Sequence, residues 1–450
     1  PAPLRIATSL PTLVDQDHSE KMTIVRGPYF SGNHMKRGLN IGLLGIDCQM
    51  ASVLSAVQSE ATDSFNVSCH VSPHEFETFQ ITPPEHVYAE SWEPLFDDSL
   101  TDVVLVGAEH WTEQRADAVR GLVQAGRPLL LSHPVYLSML WAYEIDMIRN
   151  DSGASLIPFI PERLHPCVHR LAQQIGDTLA HPESEASIES MTFERRMPER
   201  SRELVLRQLS RDLDLIRFLM GDPQRISTLG GTVESAWPTL AVGLSVESQI
   251  PIRWNVRGDT SSSLQITLTQ KTGTTQVYVP SASDSWEWHQ TNNEAPEKYP
   301  SFDRGQTMLD AVRHTLSSDS NHGERTPLAT WTDAARCIEI ADTVPRSLMK
   351  GRSIDLHQEE FSEIGTFKGT MASLGCGIVL AALFVLILAS LIGGIAREAR
   401  WAFGEQIASM WPVIVLTALM LFLGLQILPL LVNDTDKNGR SKTPKSKHGP

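Results

Sequence analysis

What this chain of 450 residues lacks narrows its chemistry first. Its first 360 residues hold no block of Lys and Arg, and its formal net charge is −15, so it has no basic face for phosphate backbones and no nucleic-acid partner is expected. The five cysteines (Cys48, Cys69, Cys167, Cys337 and Cys376) form no CxxC pair and no even framework. They read as thiols of a reducing compartment, with neither a disulfide scaffold nor a metal site. Residues 1–34 lack an apolar core of signal-peptide length, so no cleavable leader is expected, and Met35 is a candidate start.

Charge itself is missing from two late stretches. None occurs between Lys368 and Arg397 or between Glu405 and Asp434, two gaps of 28 residues each (369–396 and 406–433). Their centres, "GIVLAALFVLILASLIGGI" and "VIVLTALMLFLGLQILPLLV", match the ~20 apolar residues that cross a bilayer. They show no polar stripe of the kind a soluble helix carries, and Trp401, Phe403 and Trp411 lie near their ends. Two transmembrane helices are therefore expected. The connecting loop has Arg397 and Arg400, whereas the outer flanks hold Lys368, Lys437, Arg440, Lys442, Lys445 and Lys447. The positive-inside rule then places the tail and the large domain together in the cytoplasm.

Ahead of these spans, strands and helices alternate. "LNIGLLG" reads as a strand ending at Gly45, and Met50, Val53, Leu54 and Val57 mark the helix that follows. "NVSCHV", "TDVVLVG" and "PLLLS" read as further strands, with "ADAVRGLVQAG" a helix between the last two. This is the rhythm of a doubly wound parallel sheet. Beyond a helix ending "FLMGDP", the segments "TLAVGLSVES", "PIRWNVR", "SLQITLTQKTGTTQVYVP" and "SWEWHQ" indicate a mostly antiparallel sheet, and "WTDAARCIEIADTVPRSLMKG" a closing helix. The expected organisation is an arm without regular structure (1–37), a Rossmann-like α/β domain (38–134) and an α+β, mostly antiparallel-sheet domain (135–357). A linker (358–370), spans at 371–396 and 410–432, and a basic disordered tail (433–450) follow.

The first strand and turn promise a dinucleotide cradle but do not complete its fingerprint. Gly45 is the one fingerprint glycine present; Asp47 and Met50 stand where the second and third glycines admit the pyrophosphate and pack the helix. A carboxylate at Asp47 is expected to repel phosphate oxygens, and Met50 to crowd them. "NVSCHVSPH" offers no acid for a ribose hydroxyl.

Several local motifs, in order and spacing, resemble those of the glucose-fructose oxidoreductase, inositol dehydrogenase and MocA family. "AGRPLLLSHP" is similar to its "AGKHVLxEKP", "ERLHPCVHRLAQQI" to "xRFHPAVRxLxxLI", and "LVLRQLSRDLDLIRFLMGDP" to "xLLDxGxHxLDLLxWLxGxP". The likeness spans about residues 38–357. It implies NAD or NADP as cofactor and a sugar or polyol as substrate, with the motif's Lys beside the nicotinamide and its Asp and His serving the hydroxyl that loses its proton. Here those three positions hold His133, Arg207 and Arg211, and the preceding Glu is Ser132. Arginine, with its pKa above ~12, cannot accept the proton. His133 is a candidate base or, more simply, a strand-end residue capping the cleft.

Arg207 and Arg211, four apart on one helix, call for acidic neighbours: Glu203 and Asp214 in a solvated ion-pair face, or a small anionic ligand in the cleft. The expected protein is a membrane-anchored, catalytically degenerate member of this fold, a pseudoenzyme in a binding, regulatory or accessory role with no bound cofactor. Its partners would be the membrane and a second copy or an active paralogue. Two other readings stand beside it: a working NAD(P)-dependent oxidoreductase with His133 as base, and a structural membrane adaptor.

Overall fold

β1 (Asn40–Leu44) is apolar and almost wholly buried, as a central parallel strand covered on both faces must be. The computed structural model describes residues 38–356 except 61, 182–186, 231–235, 282–283, 292–294 and 318–327, together with scattered positions between 384 and 417. From β1 the chain runs through α1 (Cys48–Ser59), β2 (Ser64–Cys69), α2 (Pro73–Phe79), β3 (His86–Tyr88) and β4 (Val103–Val106). It continues with α3 (Glu113–Gln124), β5 (Leu129–Leu131), α4 (Met139–Ser152) and β6 (Leu156–Pro158). The strands form one parallel sheet in the order β3-β2-β1-β4-β5-β6. Its order reverses between β1 and β4, and the strand ends there frame the crevice where such sheets bind ligands.

The sheet runs past residue 134, where a domain boundary was expected: β6 pairs with β5 from Leu156 to Pro158. α5 (Pro166–Ala180), β7 (Ile188–Met197) and α6 (Arg202–Met220) then lead into β8 (Arg225–Gly230), β9 (Leu240–Ser245) and β10 (Pro251–Gly258). β11 (Ser263–Gln270), β12 (Gly273–Pro280), β13 (Ser285–Gln290) and β14 (Glu297–Ser301) follow, then α7 (Arg304–Ser317), α8 (Trp331–Lys350) and β15 (Ile354–Asp355). The second sheet has nine strands, β14-β13-β12-β11-β7-β10-β9-β8-β15. It is mixed, because β10 lies parallel to β7 while its other pairings are antiparallel.

Three cores hold these layers. Ile41, Leu43 and Val103 pack with Val53 and Leu54 of α1 and Met308 and Leu309 of α7 on one face of the parallel sheet. Leu44, Val104 and Val106 pack with α3, α4 and the start of α8 on the other. The inner face of the mixed sheet, with Phe193 and Trp254, packs on α5, α6 and the later turns of α8. α7, which no sequence pattern announced, sits close enough to α1 that a Cβ on Gly305 would strike the Ser52 carbonyl.

Residues up to His357 form one compact unit and Gln358–Pro450 another. In the second, Phe384, Ile387, Leu388, Leu391 and Ile395 are helical and exposed. Among the described residues no helix is long and apolar enough to cross a membrane. The arm, the linker, the tail and nearly all of the expected spans at 371–396 and 410–432 lie outside the described residues.

Candidate functional site

The turn after β1 is built by Gly45, whose φ of +69° lies in the left-handed region that glycine enters freely. Asp47 follows as the N-cap of α1. Its Oδ1 accepts from the backbone N–H groups of Gln49 (3.0 Å) and Met50 (2.9 Å), and its Oδ2 from that of Ala108 beyond β4 (2.8 Å). These donors, at a helix N-terminus in the crevice, are the ones a pyrophosphate would use. The carboxylate is therefore the helix's own anion, 3% exposed, and its charge is spent on N–H groups.

Above Gly45 lies the guanidinium of Arg115, from the first turn of α3, where a Cβ on Gly45 would collide with it. Its Nη1 donates to the carbonyls of Gly107 (3.4 Å) and Glu109, and its Nη2 to that of His70 (3.2 Å). One buried side chain thus ties the end of β2 to the end of β4, above the turn that ends β1. Asp47 takes the N–H donors at this helix start, and Arg115 fills the space over Gly45. Met50 does not crowd the crevice as expected; its side chain is fully buried in the core beneath α1.

His133 lies two residues beyond β5 and is 1% exposed, so it neither caps the cleft nor faces it. Its Nε2 lies 3.2 Å from both the carbonyl oxygen and the hydroxyl of Ser210. A carbonyl only accepts, so Nε2 carries the proton. Burial, with Arg211, Arg163 and Arg217 nearby, pushes its pKa down to about 3, far below what a general base needs near neutrality. Its backbone is held by Gln49, which accepts from the His133 N–H (2.8 Å) and donates to its carbonyl (3.1 Å).

The two arginines of α6 part company. Arg207 pairs with exposed Glu203 (3.0 Å), as expected, and donates to the Pro134 carbonyl (3.4 Å). Arg211 donates through Nε to the His133 carbonyl (2.8 Å), and no carboxylate pairs with it among the described residues. Asp214 does not serve Arg211: it is completely buried and pairs with Arg163 of the turn after β6. Arg211 lines a cleft of about 360 Å³ between α1, α6, the mixed sheet and the start of α7.

The cleft floor carries residues the sequence reading passed over. The Asp212 carboxylate accepts from Arg195 of β7, from Trp254 Nε1 of β10 (2.8 Å) and from Gln208 (3.2 Å), a satisfied, buried cluster. Arg304 is likewise occupied, by Glu162 (2.9 Å) and the carbonyls of Pro280 and Ser281. Cys48, the first residue of α1, opens to the cleft and is exposed; burial of part of its surface raises its thiol's pKa, while Arg211 pulls it down.

A six-stranded Rossmann-type sheet followed by a large mixed sheet, with a cleft between them, is the fold of the two-domain oxidoreductases of the inositol dehydrogenase type. Its solved counterparts include a putative myo-inositol dehydrogenase from Sinorhizobium meliloti, 16% identical, which matches over 71% of this chain and 100% of its own with a TM-score of 0.53. The aldose-aldose oxidoreductase of Caulobacter crescentus, in complex with glycerol, is 11% identical over 71% of this chain and 100% of its own, with a TM-score of 0.58. An oxidoreductase from Agrobacterium radiobacter, in complex with NAD+, L-tartaric acid and magnesium, is 15% identical over 70% and 98%, with a TM-score of 0.52. No family model and no curated protein matches the sequence.

Proposed function

We propose that this chain keeps the oxidoreductase fold as a membrane-anchored binding or accessory protein and does not carry out hydride transfer. One observation carries the reading: Asp47 and Arg115 occupy the crevice at the ends of β1, β2 and β4. The substitutions at His133, Arg207 and Arg211 agree with it, since none of the three offers a proton acceptor to the cleft. The full chain is expected to gain no thermal stability from NAD(H) or NADP(H), whereas a true ligand at 100 times its Kd adds ~2.7 kcal/mol. Removing both plugs, by Asp47→Gly with Arg115→Ala, is expected to restore measurable binding. Tight binding of either cofactor by the unaltered chain would overturn the reading and favour the working enzyme, for which the NAD+ complex of the Agrobacterium relative is the supporting precedent.

Anchoring rests on the two charge-free stretches and on the exposed apolar residues Phe384, Ile387, Leu388, Leu391 and Ile395. With both termini of the hairpin on the cytoplasmic side, a single cysteine placed in the 397–405 loop should react with an impermeant thiol reagent in intact cells. One placed in the tail should not; the reverse pattern inverts the topology.

A further inference from the structure

We infer that the cleft beside α6 takes a small hydroxylated carboxylate, held through its anionic group by Arg211. This rests on the proposed function, because a cleft still serving hydride transfer would be shaped around a nicotinamide. The charges of the lining decide the class of ligand. Arg195 is neutralised by Asp212 and Arg304 by Glu162. Asp303 caps α7, accepting from the Gln306 N–H at 2.9 Å. Of the lining's three cations Arg211 alone has no carboxylate paired with it among the described residues, while the exposed carboxylate of Asp303 brings the formal charge of the lining to zero.

Arg211 is half-buried, is held in place by its Nε bond to the His133 carbonyl, and has no protein acceptor for Nη1 or Nη2 among the described residues. Two parallel N–H donors on a fixed planar group match the two oxygens of a carboxylate. Around it the cleft offers Ser52, Gln208, Ser262 and Ser281 as polar side chains and Phe159 and Leu215 as apolar ones. That mixture suits a short carbon chain bearing hydroxyls, and Arg211 in a lining that also holds the Asp303 carboxylate suits a singly charged carboxylate better than a doubly charged phosphate.

Cys48 lines the same cleft and reports on it. The test is the rate at which iodoacetamide alkylates Cys48 in the full chain, read from its peptide by mass spectrometry at constant ionic strength. Sodium gluconate is expected to slow alkylation, while glucose, which has the hydroxyls without the acid, and inorganic phosphate do not. In Arg211→Gln the gluconate concentration giving half protection should rise about tenfold or more, the loss expected for a charged hydrogen-bonding partner. No protection of the unaltered chain by gluconate overturns the inference without needing any variant. Equal protection by phosphate or by glucose overturns the ligand class, and unchanged protection in Arg211→Gln overturns the role of Arg211. Failure of the proposed function looks different: NAD(P)-dependent oxidation of gluconate by a protein that gluconate also protects would remove the non-enzymatic reading and leave the carboxylate site standing.

Discussion

Between pH 7.5 and pH 5 the free energy of unfolding should fall by roughly 2–4 kcal/mol, most of it because of two buried histidines. His133, hydrogen-bonded to Ser210, and His165, stacked on Trp286 with ring centroids 3.8 Å apart, both have their pKa pushed down to about 3, chiefly by burial. In the unfolded chain each titrates near the ordinary 6.5. Below that value the unfolded state binds protons that the folded state refuses, so stability is full above pH 6.5 and is lost as pH falls toward 3. Ordinary carboxylates titrate near 4, so most of their contribution comes below this window. Denaturant midpoints across the window measure the slope. His165→Phe keeps an aromatic ring against Trp286 while removing one proton site, and should remove about half of the slope; a profile that stays flat in the parent would contradict the burial argument.

Asp214→Ala should cost about 3–5 kcal/mol, the penalty for taking from a buried cation its fully buried, two-oxygen partner. The Asp214 carboxylate is inaccessible to solvent and receives Arg163 on both oxygens, through Nε at 3.0 Å and through Nη2. Arg163 also reaches Asp333 of α8 (3.4 Å), which in turn takes Arg217 (3.2 Å). Arg207→Ala is the matched comparison: its partner Glu203 is exposed, and loss of that pair should cost under about 1 kcal/mol. Equilibrium unfolding of the two variants gives the contrast directly, and similar losses for both would mean that burial does not set the value of these pairs.

Much of this architecture can be read from residue pattern, and the exceptions have physical reasons. The apolar run Asn40–Leu44, the α6 helix with its Gly221 cap and the hairpin of β11 and β12 all announce themselves, because each buries a face with its proper period. β3 does not, since all three of its residues are exposed. β7 hides its alternation because inward-facing Arg195 breaks the apolar set, and Arg195 is tolerated there only because Asp212 meets it. The site was partly legible. The residue type marks Asp47 as ill-suited to face phosphate, and the preference of aspartate for helix N-caps, equally readable from residue type, accounts for its carboxylate being satisfied by backbone N–H groups. Arg115 left a fainter signal: it occupies the same stripe as Ala118, Val119 and Leu122, a position where a cation must have found carbonyl partners. Which carbonyls, and that they belong to two strand ends, only the folded chain reveals.

α8 has a consequence of a different kind. Its early residues Trp331, Ala334, Ala335 and Ile338 belong to the core beside the parallel sheet, and Cys337, Ile340, Ala341 and Val344 to the core of the mixed sheet. Neither core can come apart without baring half of the same helix to water, so the free energies of the two sheets are not separate quantities. The helix makes them one cooperative element, and a perturbation that loosens either sheet is felt as a loss of protection against hydrogen exchange in the other.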